Sequence, residues 1–329
     1  MATGLKNPAK KKRDKKQNNN PRPDAAALKK TKRAPHRMHP DGSPWAVNWI
    51  AGGWLIALHI GALAAPFFFT WEGLALAVFF HWLTGSIGIC LGFHRLLTHA
   101  GFRTYKPVKW LLALIGGWAG EGPSTCWVAH HRQHHALSDQ EGDPHSPLDG
   151  AWWAHMNWLG WTRPSKEHAA HLQRWAPDLQ RDKVLQFVDM MFLPSHFLLG
   201  AAMMGAGYAL GGWPMAMSFL VWGMFVRLVG VLHVTWFVNS ASHMWGYRNY
   251  ETTDESRNNW WVAIVAYGEG WHNNHHAYPR MAVHGHKWWE FDITYCSLRL
   301  MKLCASPPTS SAGRTPDDER VRRLLCRGT

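Results

Sequence analysis

Four long apolar runs set the organisation of the chain. Residues 46–70, AVNWIAGGWLIALHIGALAAPFFFT, hold no Asp, Glu, Lys or Arg, and a helix of that length can cross a hydrocarbon core of ~30 Å. Just beyond Glu72 a second run covers 74–93, a third covers 190–210, and the turn GGWP leads into a fourth at 215–238, interrupted by Arg227 and His233. Short turns at 71–73 and 211–214 join the runs in pairs. The pattern predicts an all-α membrane protein with four transmembrane helices in two hairpins. The stretch WLLALIGGWAG, 110–120, is too short to span and reads as an interfacial or re-entrant segment.

Charge orients these helices. The two tight turns lack Lys and Arg, whereas the N-terminal tail, the segment 94–189 and the segment after 246 have many. Positive residues collect on the cytoplasmic side, so both termini and both large polar segments are expected there. The mean hydropathy of −0.26 conceals the apolar runs, because a basic tail offsets them. Residues 1–37 hold 13 of the 35 Lys and Arg and only two Asp, leaving about +2 of the formal +13 for everything else.

Such a tail reads as a solvated arm, with anionic lipid headgroups as the main functional alternative; no nucleic-acid partner is expected. The expected domains are a basic disordered tail at 1–45, a membrane domain at 46–304 and a disordered C-terminal tail at 305–329. A cleavable signal sequence is not expected, since no apolar run begins within the first 44 residues. Cys90, Cys126, Cys296, Cys304 and Cys326 form no CxxC pair. That usage suits a reducing compartment and argues against a thiolate metal site.

The chain has 22 His, and many fall where spans meet polar segments. HRLLTH places His94 and His99 at the end of the second run, and HHRQHH places His131, His134 and His135 in the first large polar segment. NSASH places Asn239 and His243 at the end of the fourth run, and HNNHH places His272, His275 and His276 in the last segment. All four groups are predicted on one side of the membrane.

In HxxHH the imidazoles stand at i, i+3 and i+4, on one helix face, and two such faces opposed can surround a pair of metal ions. Nine imidazoles are more than one ion can use, and neutral imidazole suits iron, copper and zinc. A dinuclear iron site that activates oxygen fits this composition best. His39, His145, His155, His168, His171, His196, His284 and His286 lie outside the groups and are read as non-ligands. A membrane diiron hydroxylase is the nearest rival enzyme, and a His-rich metal transporter is the rival from another class. Transport sites usually lie at mid-membrane, which disfavours the latter. No GxGxxG opens a βαβ unit, so an external electron donor is expected. HPDG at 39–42 is similar to a haem-binding motif, but no haem-domain sequence surrounds it.

GFHRLLTHAGF, WVAHHRQHH, SDQEGDPHSP, TWFVNSASHMWG and GEGWHNNHHAYP occur in this order, and over about residues 46–304 the chain resembles the membrane fatty acid desaturases of the stearoyl-CoA type. The resemblance implies four transmembrane helices beneath a cytoplasmic helical cap and a cis double bond, at delta-9, made in an acyl-CoA or acyl-lipid with O2. It implies two Fe ions and a ferredoxin or cytochrome b5-like donor. By the same resemblance the ligands are His94, His99, His131, His134, His135, His243, His272, His275 and His276, with Asn239 acting through a water. Trp127, Thr235 and Trp236 match positions that kink the acyl tunnel, and Arg227 matches an intramembrane arginine. Glu121 departs from the family, which commonly has Gln there. It is expected beside the tunnel, protonated or paired with a cation such as Arg227.

Overall fold

The computed structural model describes residues 46–305. The expected basic tail, HPDG at 39–42 and all but the first residue of the expected C-terminal tail lie outside the described residues.

Helix ends are set by caps rather than by the edges of apolar runs. Ala46–Val47 starts no helix; it pairs antiparallel with Trp161–Thr162, so the all-helical expectation gains one small sheet. Asn48 then caps the helix Trp49–Ala62, its side chain accepting from Ala51 N at 3.1 Å. Pro66 falls at the start of a short 3-10 turn, Ala65–Phe68. The first run, expected as one span over 46–70, is therefore a shorter helix followed by a turn.

Thr70 caps the next helix by accepting from Gly73 N at 3.0 Å, and Glu72 sits in its first turn, where the helix dipole favours an acid. This helix runs from Trp71 to Thr98 over 28 residues, overshooting the expected 74–93 at both ends. From Leu83 its hydrogen bonding widens to the π type, a feature that gathers at functional sites. His94 lies on that widened stretch.

The third and fourth runs form one helical stretch, Phe192–Met244, folded back at Gly211 and Gly212. Gly212 has φ +67°, a conformation open mainly to glycine. The two arms lie antiparallel and close. A Cβ on Gly207 would approach Met215 O to 2.6 Å, and one on Gly200 would lie 3.7 Å from Met224 Cγ.

Most of the stretch 110–120 belongs to the helix Lys106–Gly117, which buries Leu112, Ala113 and Ile115. A Cβ on Gly88 would come within 2.7 Å of Gly116 Cα, so glycines at the crossing let these two helices approach closely.

The described chain is mostly helical, and its long helices expose many large apolar side chains. Ile50, Ile56, Ile60, Val78, Phe79, Phe197 and Leu198 are all exposed. Trp71–Thr98 and Phe192–Met244 are long and apolar enough to cross a membrane, and Trp49–Ala62 is a shorter apolar helix. A surface of this kind belongs to a membrane protein.

Candidate metal centre and cavity

The nine singled-out histidines come together in two groups, His94, His99, His131, His135 and His275 in one, and His134, His243, His272 and His276 in the other. Within each group, one nitrogen from every ring lies within 4.8 Å of the others. Helical geometry explains the division. At ~100° per residue, i and i+4 point within about 40° of each other, while i+3 is turned about 60° the other way. On Ser124–Leu137 the i, i+4 pair His131 and His135 enters the first group, and His134 enters the second. On His272–Ala277 the pair His272 and His276 enters the second, and His275 enters the first. Each HxxHH motif thus serves both groups.

The ring nitrogens are arranged as metal ligands would be. Nε2 atoms face one another at 2.9 Å between His94 and His275, and at 3.0 Å between His135 and His275 and between His243 and His272. The Nε2 atoms of His99, His134 and His276 are buried without a hydrogen-bond partner. Burial, reinforced by repulsion among the rings, pushes His131, His135, His272 and His275 well below the usual imidazole range. Neutral rings are what a metal ion requires.

Carboxylates fix the tautomers. His134 Nδ1 lies 3.0 Å from both oxygens of Asp143, His243 Nδ1 2.8 Å from Asp139 and His276 Nδ1 2.6 Å from Asp254. His94 Nδ1 is 2.7 Å from Glu269 Oε2. A proton held on Nδ1 leaves the Nε2 lone pair free to ligate. Burial alone would raise the Glu269 carboxyl, but Arg95, His284 and His94 outweigh it and hold it well below the usual range. These residues fit metal ions.

None of these four carboxylates was picked out from sequence, although Asp139 and Asp143 stand in SDQEGDPHSP and Glu269 in GEGW. His284 and His145, read as non-ligands, stand close behind the groups. Their rings lie 4.4 Å from His275 and 4.3 Å from His134.

A cavity of about 970 Å³ reaches this centre, with His94, His131, His272 and Asn239 among its lining residues. Glu121, Trp127, Thr235 and Trp236 line it as well. Glu121 Oε2 accepts from Trp127 Nε1 at 2.8 Å, and Oε1 accepts from Thr235 Oγ1 at 2.7 Å. Burial pushes the Glu121 carboxyl up to about 7, with the Thr235 and Trp127 hydrogen bonds acting against it.

The expected pairing of Glu121 with Arg227 is not found. Arg227 is buried away from the cavity lining, donating from Nε to Gly223 O at 2.9 Å and from Nη1 to Trp118 O. Main-chain carbonyls satisfy it, so no acid is needed.

Comparisons with known proteins give the family. A model of the family described as fatty acid desaturase matches residues 69–292. The chain is 46% identical to an sn-2 palmitoyl-lipid 9-desaturase of Nostoc sp. (strain 36) over 279 residues, which is 81% of this chain and 94% of that protein. It is 44% identical to an sn-1 stearoyl-lipid 9-desaturase of Anabaena variabilis, over 78% of this chain and 91% of that one. An acyl-CoA 5-desaturase of Anemone leveillei is 38% identical over 74% of each chain.

Proposed function

This chain belongs to the fatty acid desaturase family and is an oxidoreductase, and from that premise we propose that it is an O2-dependent 9-desaturase of lipid-bound acyl chains. The observation that carries this reading is the division of the histidines into groups of five and four at a cavity lined by Trp127, Thr235 and Trp236. In this reading all nine are ligands, His94, His99, His131, His135 and His275 for one ion and His134, His243, His272 and His276 for the other, with Asn239 acting through a water. A pair of non-haem iron ions, when bound there, supplies reductive activation of O2.

The remaining work is positional and belongs to the chain's own side chains. Burial of ~0.8 kcal/mol per methylene holds an acyl chain without fixing its register. Register comes from polar and bulky side chains at one level of the cavity. The Trp127 ring stacks on His131 with centroids 4.8 Å apart, and its N–H is held by Glu121. The methylenes beside that ring are thereby set against the first histidine group. Apolar walls keep water from the reacting carbons, which protects against hydroxylation.

The balance is one O2, two electrons and two protons, with two hydrogens taken from adjacent carbons, giving a cis alkene and two waters. The electrons come from an external donor of the ferredoxin or cytochrome b5 type. Relatives named for palmitoyl-lipid and stearoyl-lipid substrates, at higher identity than the acyl-CoA relative, support an acyl-lipid substrate.

The desaturase domain spans 46–304 between two tails. It crosses the membrane four times in two hairpins, with the histidine centre in a helical cap on the cytoplasmic side. The test is expression in a host that supplies reductant, followed by mass spectrometry that locates new double bonds. A new cis-9 monoene in membrane lipid is expected. An alcohol in its place identifies a hydroxylase, and unaltered lipid refutes the reading.

A further inference from the structure

The cavity that reaches His94 and His131 also reaches the outer surface of the helices. There it is lined by Ile50, Gly53 and Trp54 from the helix Trp49–Ala62 and by Phe192 and Leu193 from the start of Phe192–Met244. Ile50 is 87% and Leu193 46% exposed, and Ile56, Phe197 and Leu198 continue the exposed apolar surface along the same two helices. This end of the cavity therefore opens sideways, between helices that face lipid tails.

Trp54 ties the two helices together at this level. Its Nε1 donates to Gly120 O at 3.3 Å, and its ring meets Phe192 and His196 edge-on at 6.4 and 5.3 Å. Next to it Gly53 leaves the lip bare, since a Cβ there would meet nothing within 4 Å. Asn48, Thr162, Ser165 and His168 also line the cavity. These amide, hydroxyl and imidazole groups suit ester and glycerol oxygens. The guanidinium of Arg163, another lining residue, is already directed at Gln133 Oε1 (3.3 Å) and His130 Nε2 (3.5 Å).

We propose that the acyl chain of a bilayer glycerolipid enters sideways through the slot between these two helices, past Gly53, and leaves its ester at the polar rim. The proposal rests on the desaturase reading and adds the route: the esterified chain passes from the bilayer into the cavity without leaving the membrane. Lateral passage also spares the chain contact with water, a penalty that grows with every methylene.

The test uses the full chain in phosphatidylcholine vesicles doped with a phosphatidylcholine carrying a mid-chain diazirine. After illumination, label on the peptide containing Trp127 reports entry independently of turnover. Gly53→Trp plugs the slot and should lower both that label and double-bond formation at least tenfold. Gly52→Trp should match wild type, because Gly52 is outside the cavity lining and a Cβ there also meets nothing within 4 Å. Leu193→Trp blocks the slot from the opposite helix and replaces Gly53→Trp should that variant not fold. Unchanged interior label and turnover in both blocking variants would overturn the proposal. Wild type that acts on acyl-CoA in detergent but never on vesicle lipid also overturns it, together with the lipid-bound substrate, while leaving the desaturase chemistry intact. Interior label without any alkene from either donor supports entry and removes the desaturase reading instead.

Discussion

Thr235 Oγ1 stands 2.7 Å from Glu121 Oε1, joining positions 114 residues apart across the cavity. The other carboxyl oxygen accepts from Trp127 Nε1. Trp127 can only donate, whereas a threonine hydroxyl can donate or accept. Either charge state can satisfy both neighbours: the carboxylate accepts from each, and the neutral acid keeps its carbonyl toward Trp127 and turns its hydroxyl to donate to Thr235.

Glu121→Gln should keep activity and double-bond position, because the amide oxygen and NH2 reproduce that pattern. Glu121→Leu leaves the part-buried Trp127 N–H without this partner, at a cost of up to about 1–3 kcal/mol. It should lower product at least tenfold or move the double bond. Thermal unfolding and double-bond mapping check the two parts. Identical rate and product from the Gln and Leu variants would show that Glu121 sets no register.

The same carboxyl gives a pH signature. Its ordinary value of 4.5 is raised by burial to about 7. The folded protein therefore binds this proton more tightly than the unfolded chain does. Its contribution to stability is full below about 4.5 and is lost as pH rises through about 7. Unfolding free energy should fall across that window in wild type, and the fall should be smaller in Glu121→Gln. Parallel pH curves for the two proteins would place the titration elsewhere.

The spacing of the histidines made most of the candidate centre legible in the sequence, and helical rotation alone divides HxxHH between two groups. Apolar runs located the helices, but their ends followed local chemistry that hydropathy averages out. Asn48 and Thr70 cap, Pro66 begins a turn, and Gly212 takes a left-handed conformation. The carboxylates stayed hidden because they reach His134, His243 and His276 from loops whose paths only the fold determines. Asp139, for example, sits at φ +58° and serves His243, 104 positions away. The Arg227 partner was misjudged for a related reason. A buried guanidinium can be satisfied by main-chain carbonyls, here those of Gly223 and Trp118, which no sequence pattern marks.

Asp143 tests the role of those carboxylates. Burial works against its charge, but His134 outweighs it and keeps the carboxyl well below its usual range. Asp143→Asn keeps the shape, yet its amide can present N–H to Nδ1 and release the tautomer. Loss of a supporting partner of this kind typically costs 10–100-fold in metal affinity. Competition with a chelator should show that loss without gross unfolding. Unchanged affinity would mean that Asp143 only braces the loop.

The division of the histidines makes the sharpest prediction. His134 and His135 are adjacent in sequence but belong to different groups. Wild type purified without oxygen should hold about two irons per chain. His134→Ala and His135→Ala should each lose product at least a hundredfold, because two ions that act together fail together. Their metal contents should differ in kind. His134→Ala leaves all five rings of the first group, and His135→Ala leaves all four of the second. Each variant should retain mainly one iron, in a different ligand field that Mössbauer spectra resolve. His155→Ala is the control. His155 lies outside both groups and bonds His233 Nδ1 at 3.0 Å and Ser240 Oγ at 3.1 Å. Its loss should cost stability, about 1–3 kcal/mol, while product is still made. Identical residual spectra from His134→Ala and His135→Ala would dissolve the two-group assignment, and full activity in either would remove that residue from the ligand set.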